Sequence, residues 1–100
     1  MDIPIACRLG PQEARSQITE WDGLLTDAVT RRRRVAPGRL DLHLRPDFDQ
    51  VDALVRLARR EATCCAFFTF SLSIEPEALT LVIEVPDEAG SILDELGPGR

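Results

Sequence analysis

Three runs of alternating apolar residues constrain this chain more than any other feature in it. Leu40, Leu42 and Leu44 alternate with Asp41, His43 and Arg45; Phe68, Phe70, Leu72 and Ile74 alternate with Thr69, Ser71 and Ser73; Leu79, Leu81, Ile83 and Val85 alternate with Thr80, Val82 and Glu84. A period of two gives a strand one apolar and one polar face. The last two runs flank Glu75-Pro76-Glu77 and predict a β-hairpin. His43 falls on a polar strand face, where an imidazole is ordinarily just solvated. A fourth alternation, Ile3, Ile5, Cys7 and Leu9 against Asp2, Pro4, Ala6 and Arg8, predicts a short first strand with Cys7 on its apolar side.

Helical spacing separates these strands. After Gly10-Pro11, the residues Ala14, Ile18, Trp21, Leu25 and Ala28 recur at intervals of three and four, predicting an amphipathic helix through Thr30. Arg31 to Arg34 then read as a solvated helix end, where positive charge suits the dipole, with Pro37-Gly38 as the stop. Pro46-Asp47 is expected to open a second helix, with Asp47 and Gln50 spaced as a capping box. Its buried stripe is expected at Val51, Leu54, Val55, Ala58, Ala62 and Cys65. Pro86-Asp87 opens a last short helix carrying Ala89, Ile92, Leu93 and Leu96, closed by Gly97-Pro98.

The expected order is β-α-β-α-β-β-α. Because each strand has one apolar face, the economical architecture is an α+β fold, a two-layer α/β sandwich. Its four-stranded mixed sheet would carry the helices on one face. The opposite face would be wet or would meet a second copy, with Phe67 and Val82 as its apolar members.

One hundred residues at 11.1 kDa suit a single domain over 1–100. The 44% hydrophobic and 29% charged composition is that of a globular protein, and no apolar run approaches the ~20 residues of a membrane span. Met1 to Arg8 lacks the basic and apolar regions of a secretory signal, so a cytoplasmic location is expected. All twelve basic residues are arginine. Residues 1–60 hold eleven of them against nine acids (+2), and residues 61–100 hold one against eight (−7). A net charge of −5 argues against direct nucleic-acid binding, which needs many neutralised phosphates.

Three cysteines, two of them adjacent at Cys64 and Cys65, make a poor disulfide framework and read as reduced thiols. In a helix Glu61 lies three residues before Cys64 and four before Cys65, so the carboxylate and both sulfurs project from overlapping faces. That spacing could present soft and hard donors to one metal ion. Thiolates select soft or borderline ions: Zn(II), Cu(I) and the heavier thiophilic metals. A helix C-terminus does not favour a thiolate, so a depressed thiol pKa would have to come from the metal or from Arg59 and Arg60. Two other readings stand beside this one. Free cysteines are often plain core residues, which would leave a non-catalytic interaction or dimerisation domain. A Cys-dependent enzyme with Glu61 as general base is the weaker alternative, because the one imidazole, His43, is expected on the other sheet face.

The segments Ile5-Ala6-Cys7, Glu20-Trp21-Asp22-Gly23-Leu24-Leu25 and Glu61-Ala62-Thr63-Cys64-Cys65-Ala66-Phe67-Phe68-Thr69-Phe70 resemble a small family marked by the pattern E-x-x-C-C-x-F-F-x-F. Its members resemble stand-alone proteins of about this length and the C-terminal segments of some heavy-metal-responsive regulators of the MerR-like class. The resemblance runs from Ile3 to Leu96. It implies a module for a thiophilic metal or another thiol-reactive signal, with Cys7, Cys64 and Cys65 on the family's cysteine positions and a regulator protein as a partner. Joined by Glu61, these are the candidate ligands. One geometric difficulty attends them. If the first helix is a right-handed crossover between parallel strands, Cys7 lies at the opposite end of the sheet from Cys64 and Cys65. A three-thiolate site then requires an antiparallel first strand or an inward bend of the helix end; otherwise only Cys64 and Cys65 bind.

Overall fold

The computed structural model describes residues 19–64 and 66–95. The expected first strand with Cys7, the start of the first helix, Cys65, and the Leu96 to Pro98 terminus of the last helix lie outside the described residues. In chain order the elements are α1 (19–25), β1 (Val29–Ala36), β2 (Arg39–Leu44), α2 (Val51–Cys64), β3 (Thr69–Glu75), β4 (Ala78–Glu84) and a 3-10 helix (Asp87–Glu95). The fold is α+β, and the four strands form one sheet in the order β1-β2-β4-β3 with every neighbouring pair antiparallel. The expected mixed sheet is thus replaced, among the described residues, by an antiparallel one. Among these residues no helix is long and apolar enough to cross a membrane.

The leucine alternations behave as read. Leu40, Leu42 and Leu44 of β2 sit directly opposite Ile83, Leu81 and Leu79 of β4, so all six share one face, and all six are buried. Trp21 and Leu25 of α1, Leu54 of α2, and Ala89 and Leu93 of the 3-10 helix join the same buried cluster. The other sheet face carries Asp41, His43, Thr80 and Val82, all half-buried.

The arginine run departs most from expectation. Arg31 to Arg34 belong to β1 and not to a helix end. At the end of α1 the Thr26 amide and hydroxyl both donate to the Asp22 carbonyl. Arg45 then holds the turn at 26–28, its amide donating to Ala28 O at 2.8 Å and its Nε to Asp27 O at 2.8 Å. An extended chain divides four consecutive arginines between two faces. Arg31 and Arg33 pair with His43 and Asp41 on the outer face; Arg32 and Arg34 pair with Leu42 and Leu40 on the inner one. The inner two reach past the sheet margin to the 3-10 helix, Arg32 donating to Leu93 O at 2.6 Å and Arg34 to Gly90 O at 2.8 Å.

That attachment depends on two glycines. A Cβ on Gly90 would stand 2.1 Å from Pro37 O, and one on Gly38 2.1 Å from Val85 O, which itself follows an amide donating to Gly38 O at 2.8 Å. The β1-β2 turn and the 3-10 helix therefore meet backbone to backbone.

The second helix also starts later than expected. Pro46 and Asp47 form a turn in which the Phe48 amide donates to Arg45 O at 3.0 Å, and Gln50 supplies the first helical carbonyl, to Leu54 N at 3.1 Å. Asp47 pairs with Arg45 at 3.2 Å and does not cap the helix. Burying Phe48 competes with continuing the helix backwards, and Phe48 is buried. The buried face of α2 is rotated as well: Leu54 and Glu61 are buried while Val55 is exposed.

Candidate functional site

Glu61 is the one buried charged side chain among the described residues, 7% exposed. Sequence spacing placed it beside the cysteines but not in the interior. It stands two helical turns after Leu54, on the stripe that faces the core.

Trp21, 1% exposed, projects from α1 and donates its indole N–H to Glu61 Oε2 at 3.4 Å. The indole lies on Phe70 of β3, with ring centroids 5.6 Å apart and planes 11° from parallel. Phe70 in turn stacks on Phe68 at 5.4 Å, and Phe68 on Phe67 at 5.0 Å. Four rings thus run in sequence from α1 through the loop that follows α2. A buried Trp needs an acceptor for its N–H, and that requirement, together with Glu61 standing on the Leu54 stripe, is the signal by which the pair could have been anticipated.

The electrostatics follow from this wall of rings. Burial pushes the Glu61 carboxyl above the ordinary carboxylate range; the Trp21 N–H and the positive charge of Arg60 act in the other direction without cancelling it. Arg60, the next residue back along α2, pairs with Glu20 of α1 and so ties the two helices together above the carboxyl. The site is a protonatable carboxyl with one oxygen already engaged by Trp21.

Of the expected metal ligands, the structure buries Glu61 against Trp21 and makes Cys64 the last residue of α2. Cys7 and Cys65 lie outside the described residues. Among the described residues no group of three His, Cys, Asp or Glu side chains is arranged to hold a metal ion. His43 is on the outer sheet face, its Nδ1 3.5 Å from Thr80 Oγ1, remote from Glu61 as expected.

Comparison with protein-family models, curated proteins and solved structures finds no match to this chain.

Proposed function

We propose that this protein is a small thiol module, a two-layer α/β unit working in the reducing cytoplasm, that binds or senses a soft or borderline metal ion, Zn(II) or a heavier thiophilic metal. Cys64 and Cys65 supply thiolates, with Cys7 and Glu61 as further donors. The observation that carries this reading is the burial of Glu61 three residues before Cys64. Burying a carboxyl costs free energy unless hydrogen bonds or a counter-charge compensate. One indole N–H at 3.4 Å compensates little. A cation held by neighbouring thiolates would supply the missing charge, and the ring sequence from Trp21 to Phe67 would limit water at the site.

The test is titration of the reduced protein with Zn(II) and with Hg(II), followed by native mass spectrometry and thiolate absorption. Stoichiometric uptake that disappears in the Cys64→Ser, Cys65→Ser double variant supports the reading. Uptake unchanged in that variant removes it. Glu61→Gln is expected to weaken Zn(II) binding by about tenfold without abolishing it, the range for a supporting ligand.

A second reading, an interaction domain whose cysteines are packing residues, is favoured by the polar outer face of β2, β4 and β3. A regulator protein docking there would leave a cysteine-free variant with full stability and full association.

A further inference from the structure

The two margins of the sheet are built differently. β1 carries four arginines and breaks register with β2 at both ends, between Val29 and Arg31 and between Arg34 and Ala36. Charge and irregular register are the usual devices that keep a free edge from pairing. β3, at the other margin of the described sheet, has no register break and one charge, Glu75 at its last position. Its seven residues, Thr-Phe-Ser-Leu-Ser-Ile-Glu, contain no proline and no basic residue, and they pair with β4 without a single shift.

Among the described residues no strand pairs with the outer side of β3, and this edge also carries a knob and a hole. Phe70, Leu72 and Ile74 lie on the core side of β3, opposite Ile83, Leu81 and Leu79. Ile74 is 71% exposed. A few residues away, a groove of about 270 Å³ opens between β3 and α2, lined by Phe70, Leu72, Val55, Ala58 and Ala62. It exists because Ala58 and Ala62, one helical turn apart, present small side chains toward the strand. The groove rim has one charged residue, Arg59, which has no ion pair or hydrogen bond among the described residues, and it has no acid. The knob, by contrast, is followed in the chain by Glu75 and Glu77.

We propose that the β3 edge is the interface of a homodimer, in which two copies pair β3 with β3 antiparallel about a two-fold axis at Leu72 and extend the sheet to eight strands. Antiparallel partners directly opposite each other share a face. The partner's Ile74 therefore falls opposite Phe70 on the core side and enters the groove; its Glu75 falls on the polar face, and Glu77, in the turn that follows, is the acid brought toward the Arg59 end. The contact is isologous, each copy offering both knob and hole, and it covers the large exposed apolar residues Ile74 and Val55. The proposal is independent of metal binding.

Sedimentation velocity on the reduced, metal-free protein at about 1–100 μM tests it. The expected result is a dimer of the 11.1 kDa chain. Ile74→Asp, at an exposed position, is expected to raise the dimer Kd by about 100-fold or more while leaving far-UV circular dichroism and the melting temperature of the monomer unchanged, because two knobs are lost per dimer. Ala62→Met, which fills the groove from within, should also dissociate the dimer, whereas Val35→Asp on the opposite margin should not. A monomer at 100 μM overturns the proposal, and protection of β3 amides in that monomer would assign the edge to another segment of this chain. A dimer whose Kd moves less than about threefold in Ile74→Asp overturns it equally.

Discussion

The indole of Trp21 and the carboxyl of Glu61 meet across forty residues of sequence, N–H to oxygen at 3.4 Å, with both side chains buried. Each needs the other. Trp21 has a donor that water cannot reach, and Glu61 an acceptor in the same position; α1 and α2 are held face to face partly by this pair and partly by the ion pair of Arg60 with Glu20 beside it.

Trp21→Phe keeps an aromatic ring against Phe70 and removes the donor. It is expected to lower unfolding free energy by about 1 kcal/mol, the lower end for a buried group losing its partner, because the contact is long at 3.4 Å. Urea denaturation measures this. In a Glu61→Leu background the same change should cost measurably less, and two additive effects would show that the contact carries no coupling.

Glu61 also sets a pH dependence. Its folded-state pKa lies above its unfolded value. Between the two, the native protein holds a proton that the unfolded chain has released, so stability falls as pH rises through that window. The window opens upward from about pH 4.3, the ordinary Glu value. Glu61→Gln removes the titration, so its stability advantage over the native sequence should grow from pH 4 toward neutrality in metal-free protein. A difference that stays flat with pH would show that the carboxyl is not desolvated.

Arg34 fastens the 3-10 helix to the sheet with hydrogen bonds to Pro37 O at 2.6 Å and Gly90 O at 2.8 Å and an ion pair with Asp94 at 2.5 Å. Arg34→Ala is expected to cost about 1–3 kcal/mol, the range for hydrogen bonds from a charged donor. Hydrogen exchange over Asp87–Glu95 should accelerate. Arg33→Ala, on the outer face, should stay within about 0.5 kcal/mol. Equal effects at the two positions would contradict the division of the run between faces.

Gly90→Ala forces a methyl against the Pro37 carbonyl and Gly38→Ala one against the Val85 carbonyl. Both contacts are with backbone, which cannot turn aside. Each variant should lose about 1–3 kcal/mol, the scale of overpacking. Gly23→Ala, where a Cβ meets nothing within 4 Å, should be neutral or slightly stabilising. Thermal melts of the three variants separate these outcomes.

The alternating residues of β2, β3 and β4 determined their strands, their inner faces and the hairpin at Glu75-Pro76-Glu77, because a period of two allows only one face to be buried whatever else surrounds it. The same local rule misread Arg31 to Arg34. Their spacing fits a helix end, but Arg45 turns the chain at 26–28 and β2 offers a ladder of unpaired backbone groups, so tertiary partners chose the strand. The start of α2 was decided in the same way, by the burial of Phe48. The cysteine-bearing segment was legible as a donor pattern, Glu61 with Cys64 and Cys65. Its environment was not, since the ring that covers Glu61 comes from α1 and the ring beneath that one from β3. Sequence spacing determines which side chains share a face of one element; only the packing of elements far apart in the chain decides which of those faces lose their water, and so which carboxyl becomes chemically unusual.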